Sequence, residues 1–163
     1  MKAFTTFVRP ILEYCSSLWS PYSALNIKKI ESIQKKFTKR LCGMENLSYY
    51  ERLLNLATDT LELRRLKNDL CMYYRIVHNL ADLPLSDFFE LKTTSTRSNG
   101  LSIVKPSSKT NSERYYFHHR RVDVWNSLPS CVVQAPSLAS FRRQIDKLDF
   151  STYLYFRRPD MSI

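Results

Sequence analysis

Glycine is almost missing from this chain, with 2 residues among 163, where average usage is roughly 7%. Hairpin turns and phosphate-cradling loops depend on glycine's access to positive φ. The composition therefore argues against a hairpin-rich β fold, and neither G-x-x-x-x-G-K-[ST] nor G-x-G-x-x-G can be built. Cysteine occurs four times, as Cys15, Cys42, Cys71 and Cys131, and never as C-x-x-C, so a zinc knuckle or ribbon has no ligand pairs. The wide spacing inside apolar helical patterns predicts reduced thiols buried in helix faces rather than disulfides. Histidine is scarce too. His118 and His119 are adjacent rather than four apart, and His78 is distant, so no metal site is expected. No apolar run approaches the roughly 20 residues of a membrane span. Arg9, Pro10 and Glu13 interrupt the N-terminus where a signal peptide carries its apolar stretch. The expectation is no membrane partner and an intracellular location, nuclear or cytoplasmic.

Acidic residues are the last shortage, 15 against 25 lysines and arginines, for a net charge of +10. Glu31, Glu51, Glu62, Asp69 and Asp146 stand singly among basic residues, and on helices such carboxylates are expected to pair with Lys or Arg one turn away. A polymerase needs carboxylates that converge on two metal ions, and a hydrolase needs a nucleophile beside a base. Asp82 and Asp87, five apart near Pro84, show no ligand pattern. The expectation is no active site, no cofactor and no small-molecule substrate.

What the chain does contain is helical periodicity. Hydrophobic residues make up 44% and aromatics 13%, enough to bury a core in a chain of this length. Residues 1–19 carry Phe4, Phe7, Ile11, Leu12, Cys15, Leu18 and Trp19 at steps of three and four, with Val8 beside them. Nothing precedes this stripe to cover it, which predicts a piece of a larger protein. Pro10 inside it predicts a kink or a fresh helix start, and Pro21 ends it. Asn26 is placed to cap a helix reaching about Cys42, with Ile27, Ile30, Ile33, Phe37 and Leu41 inward and Gly43 as the stop. Ser48 with Glu51 matches a capping box for a short helix through Leu56.

The longest helix is predicted over 61–80, with Leu63, Leu66, Leu70, Tyr73, Val77 and Leu80 in a heptad-like seam suited to one face of a bundle. Pro84 closes this block, and 86–91 is read as one helical turn. Residues 92–112, rich in Thr, Ser, Asn and Lys, read as a long polar loop holding a short extended piece at 101–105. Helical patterning returns from Glu113 to Leu128, where Pro129 stops it. Ser137 caps a last helix with Leu138, Phe141, Ile145 and Leu148 inward. The tail beyond Asp149 has aromatics without a period. The fold class is all-α, an irregular helical bundle with one long polar loop and room for a short strand. The segments are a bundle over 1–91, a loop or linker over 92–112, a helical pair over 113–149 and a tail over 150–163.

Basic residues interleaved with aromatics mark the candidate binding surface. One cluster is Lys35, Lys36, Lys39 and Arg40. A second is Arg64, Arg65 and Lys67. A third is Arg120 and Arg121 with Arg114 and His118, beside Tyr115, Tyr116 and Phe117. Such side chains reach phosphates, arginine bidentately, and exposed tyrosines stack on unpaired bases. The competing reading makes each cluster the solvated side of an amphipathic helix. Trp125-Asn126-Ser127-Leu128-Pro129 reads as a structural helix end anchored by a core tryptophan.

Several strings in order then resemble a known family. Phe7-Val8-Arg9-Pro10-Ile11-Leu12-Glu13-Tyr14 leads to Leu18-Trp19-Ser20-Pro21-Tyr22, and Ile30-Glu31-Ser32-Ile33-Gln34-Lys35-Lys36-Phe37-Thr38 follows. Tyr50-Glu51-Arg52-Leu53, Leu61-Glu62-Leu63-Arg64-Arg65 and Asp69-Leu70 come next. Arg97, Phe117 with Arg120 and Arg121, the Trp-Asn-Ser-Leu-Pro string and Ser140-Phe141-Arg142 complete the set. From about Thr5 to Asp149 the chain resembles the C-terminal region of jockey-like non-LTR retrotransposon reverse transcriptases, the thumb end and the helices beyond the polymerase. The resemblance implies a parent RNA-directed DNA polymerase whose palm and fingers lie upstream and would be partners of this region. Its palm Asp-Asp motif and endonuclease carboxylates are absent here, so no catalytic residue is carried over. It implies helices that grip template RNA or an RNA–DNA hybrid, and it makes 1–91 thumb-end-like. The alternative is a relic or domesticated helical module that binds a protein and no nucleic acid.

Overall fold

The computed structural model describes residues 1–92 and 100–156, with the side chain of Asn111 left aside. The fold is all-α. Among the described residues, β pairing is limited to an isolated antiparallel bridge between Leu91 and Ile103. Two compact units form, Met1–Arg65 with Asp149–Ile163, and Leu66–Leu148. Composition segments the chain in its polar stretch, 92–112. Packing instead sets the first boundary inside a helix.

In the first unit the chain opens with a π-helical turn, Phe4–Val8, followed by α1, Arg9–Glu13. Pro10 sits in the first turn of α1. It has no N–H to offer the preceding turn, and the Arg9 N–H bonds back to the Phe4 carbonyl in π register. Tyr14 takes an extended ψ of 129° and ends α1. This corrects the inward stripe expected over 1–19. Phe4 is buried, whereas Phe7, Ile11, Tyr14 and Leu18 are 71%, 74%, 75% and 84% exposed.

Helix α2 spans Ala24–Lys39. Its cap is Ser23 rather than Asn26, the Ser23 hydroxyl accepting from the Asn26 N–H at 3.3 Å. Its buried face also departs from expectation. Ile27 is buried, but so are Glu31, Gln34 and Thr38, while Ile33 is 41% exposed. The face is rotated because these polar side chains find partners distant in sequence, although the buried Gln34 Oε1 has none. The Gln34 side chain donates to the Tyr49 hydroxyl and to the Asp59 carbonyl, both at 3.0 Å, and Thr38 accepts from Arg52 Nε at 3.3 Å.

Helix α3, Tyr49–Asn55, starts in the expected capping box: Ser48 Oγ accepts from the Glu51 N–H, and Glu51 accepts from the Ser48 N–H at 2.7 Å. It ends in a Schellman turn with Ala57 at φ 45°, the Thr58 N–H reaching the Leu53 carbonyl and the Ala57 N–H the Leu54 carbonyl, both at 3.0 Å.

Helix α4, Leu61–Val77, contributes its first residues to the first unit and the rest to the second. Its expected seam holds at Leu66, Leu70, Tyr73 and Val77, all buried, and fails at Leu80, 52% exposed. Asn79 at φ 52° turns the chain before Leu80 in another Schellman arrangement. Exposed Cys15, Cys42 and Cys131 correct the expectation of core thiols; Cys71 alone of the four is buried.

In the second unit, α5 is the short turn Leu85–Phe88. The expected helix over 113–128 is three pieces, α6 Asn111–Arg114, α7 Phe117–Arg120 and α8 Val122–Asn126. Extended Tyr116 and non-helical Arg121 separate them. The short α9, Ser130–Val133, and α10, Leu138–Ile145, follow, the latter capped by Ser137. The extended piece at 101–105 is present, with the Val104 N–H on the Glu90 carbonyl at 2.7 Å and the Lys92 N–H on the Ser102 carbonyl at 2.8 Å. Trp125, fully buried, donates Nε1–H to the Leu101 carbonyl at 2.9 Å. The Asn126 amide accepts from the Ile103 N–H at 2.9 Å and donates to its carbonyl at 2.8 Å. The Trp-Asn string thus anchors this segment structurally.

Candidate nucleic-acid interface

The strongest site lies in the first unit, on α2. At 3.6 residues per turn, Lys28, Lys35 and Lys39 fall in one row along the helix, and Lys29, Lys36 and Arg40 in the row beside it. Lys28, Lys29, Lys36, Lys39 and Arg40 are exposed and Lys35 is half-buried. The one acid of α2, Glu31, faces the interior at 0% exposure. Among the described residues no carboxylate forms an ion pair with any of these six cations. From Lys28 to Arg40 the double row of cations extends about 18 Å along the helix.

Why this face is free of acid follows from what Glu31 does. Its carboxylate accepts from the N–H of Leu61 at 3.1 Å and of Glu62 at 3.3 Å, and from the Tyr49 hydroxyl. Thr60 Oγ1 accepts the Leu63 N–H at 3.1 Å. Together Glu31 and Thr60 satisfy the free donors at the start of α4, where the helix dipole also favours negative charge. Burial pushes the Glu31 carboxyl above its ordinary range, opposed by the Tyr49 hydrogen bond and the α4 amides. Burial, and next the Glu31 charge, push the Tyr49 phenol up. Glu31 is thereby held beneath α2, and its far side carries positive charge alone.

Aromatic rings border the same face. Lys35 Nζ lies 5.2 Å from the Tyr49 ring centre and 5.5 Å from that of Phe156. Lys28 Nζ lies 5.2 Å from the Tyr155 ring centre. These are cation–π distances. Sequence periodicity missed Tyr155 and Phe156 because the tail has none; the signal available was aromatic density beyond Asp149.

The other basic residues expected to touch phosphate are placed differently. Arg64 is bound to Glu13, with Nη2 to Oε2 at 3.0 Å. Arg65 is 1% exposed. In the second unit Lys67 pairs with Asp146 at 2.8 Å. Arg120 grips Asp69 through Nε at 3.0 Å and Nη2 at 2.7 Å, and Arg121 Nε reaches the same carboxylate at 3.3 Å. Asp69 is fully buried, and the Arg120 and Arg121 side chains are only 7% and 16% exposed. The carboxylates themselves correct the one-turn expectation: Glu31, Glu62, Asp69 and Asp146 all bind groups distant in sequence. Lys36, Lys39 and Arg40, with Lys35, are the expected residues that share one open cationic surface.

Nothing among the described residues assembles a metal centre: no three His, Cys, Asp or Glu side chains converge to hold an ion. His118 and His119 line a shallow groove with Asp87 and Glu90. Burial, and next the charge of His119, lower the His118 pKa. No helix among the described residues is long and apolar enough to cross a membrane. Arg97, one of the residues carrying the family resemblance, lies outside the described residues. Compared with known protein families, curated proteins and solved structures, the chain matches none.

Proposed function

We propose that this chain is a non-catalytic nucleic-acid-binding region, and that it descends from the thumb end and following helices of a non-LTR retrotransposon reverse transcriptase. The observation that carries the binding claim is the double row of unpaired cations on α2. The ordered strings of the sequence support the parentage. In this reading the ligand is RNA or an RNA–DNA hybrid, held through phosphates by Lys36, Lys39 and Arg40 with Lys28, Lys29 and Lys35.

The test is charge reversal on α2. Lys36→Glu with Lys39→Glu removes two positive charges and adds two negative ones on an exposed face, so thermal unfolding should move little. Affinity for RNA and for an RNA–DNA hybrid, read by fluorescence anisotropy, should fall at least about a hundredfold at low salt. Unchanged affinity would remove α2 from the interface. Primer extension by the chain would overturn its non-catalytic role.

A second reading has its own observation. Phe7, Ile11, Tyr14 and Leu18 leave an apolar strip on the N-terminal segment largely exposed, which suits a protein partner. Under that reading the α2 reversal leaves no binding to lose, because the wild-type chain binds no nucleic acid.

A further inference from the structure

We infer that residues 150–156 convert the α2 face into a shelf for unpaired bases, so that its ligand class is single-stranded polynucleotide. The inference rests on the phosphate-binding reading of α2 and adds what that reading leaves open, the form of the nucleic acid.

The backbone of this segment is anchored along its length. Phe150 and Leu154 are buried, 4% and 8% exposed. A 3-10 turn, Ser151–Tyr153, lies between them, and Asp149 ahead of it accepts from the Ser151 N–H at 2.8 Å and from the Ser151 hydroxyl at 2.9 Å. Next the backbone is pinned: the Glu62 carboxylate accepts from the Tyr155 N–H through one oxygen and from the Phe156 N–H through the other, each at 2.9 Å. Glu62 is itself buried, 7% exposed. Two consecutive amides on one buried carboxylate fix the backbone from which both rings project.

The rings so placed stand beside cations. Tyr155 has Lys28, and Phe156 has Lys35. Lys28 and Lys35 are seven residues apart, about 10.5 Å along the helix, and the two rings meet between them. The two rings meet edge to face, centres 5.4 Å apart at 81°. Tyr155 keeps 47% of its surface exposed, leaving ring area open to a ligand.

A ring paired with a cation fits a nucleotide with a free base: the base stacks while the ammonium takes its phosphate. A duplex offers only its backbone here, because its base faces are already stacked on one another. Either sugar is compatible, since stacking and phosphate contact are common to single-stranded RNA and DNA. The competing role for the segment is a cover that denies the lysines to ligand, and it predicts the opposite sign.

The experiment measures anisotropy with the full chain, using oligo-uridylate, oligo-thymidylate and a hairpin duplex, each about 12 nucleotides per strand. Wild type should prefer both single strands to the duplex. Tyr155→Ala should weaken both single strands about tenfold while changing the duplex less than about twofold, and its salt dependence should match wild type because no charge is lost. Tyr155→Phe should restore single-strand binding, which separates stacking from loss of folding. Tighter binding by Tyr155→Ala marks the segment as a cover and overturns the inference. So does an equal loss on all three ligands, or no loss. Failure of wild type to bind any of them overturns the phosphate-binding reading of α2 and the shelf with it.

Discussion

At the residue scale two buried carboxylates show how charge is managed here. Asp69 answers two arginines, and burial with full pairing makes it a structural ion. Glu31 answers two backbone amides and a phenol, and burial outweighs these partners, so its carboxyl is harder to ionise than in the unfolded chain. A carboxyl whose folded pKa is raised binds its proton more tightly in the native state, so its contribution is fully present below the unfolded value of about 4.3 and is lost as pH rises through the folded one. Glu31→Gln keeps size but cannot titrate. Urea unfolding of both proteins from about pH 4 to pH 7 should therefore show the stability of wild type relative to Glu31→Gln falling as pH rises. A relative gain with pH would mean that the hydrogen bonds dominate over burial.

At the element scale, the features legible in the sequence are those whose cause is local. Ser48 and Glu51 make their capping box within four residues, and Ser137 caps α10 through its own first turn. Leu66, Leu70, Tyr73 and Val77 repeat at helix spacing and are buried together. The features hidden from the sequence have partners far along the chain. The polar interior of α2 makes sense only once Leu61 and Glu62 meet Glu31. The break of 113–128 into three pieces has a similar origin. Adjacent residues on an unbroken helix point about 100° apart, and the non-helical backbone at Arg121 lets both Arg120 and Arg121 reach Asp69. The candidate interface divides the same way: Lys35, Lys36, Lys39 and Arg40 cluster in the sequence, whereas Lys28 and Lys29 join them only along the helix and the aromatic border has no period. Asn126 joins both kinds, a residue recognised at a helix end whose side chain serves as a strand partner for buried Ile103. Asn126→Ala should leave that N–H and C=O unmatched, costing about 1–3 kcal/mol in urea unfolding. Amide exchange over 101–105 should rise more than in α4.

At the scale of the whole molecule, the net charge of +10 is a poor guide to the electrostatic footprint. Part of the basic surplus is committed internally: Arg64 to Glu13, Lys67 to Asp146, and Arg120 with Arg121 to Asp69, while Arg65 is buried. Releasing any of these to a phosphate means breaking a native pair or exposing a buried group, and breaking a buried pair is strongly destabilising. The six α2 cations have no carboxylate partner among the described residues and share one face, while Arg75, Lys109, Arg114, Arg143 and Lys147 are exposed on other elements. Counterion release then sets a number. Six phosphate contacts on a single strand give a slope of log affinity against log salt of about −4, and on a duplex about −5. Between about 50 and 200 mM salt this is a loss of several hundred- to about a thousandfold. Titrations of oligo-uridylate and of an RNA–DNA hybrid over that range should give slopes no steeper than these, and Lys36→Ala with Lys39→Ala should flatten each by about one to two. A wild-type slope equivalent to ten contacts would mean that cations beyond the α2 face also reach the ligand, and a flat response would remove phosphate from the interaction altogether.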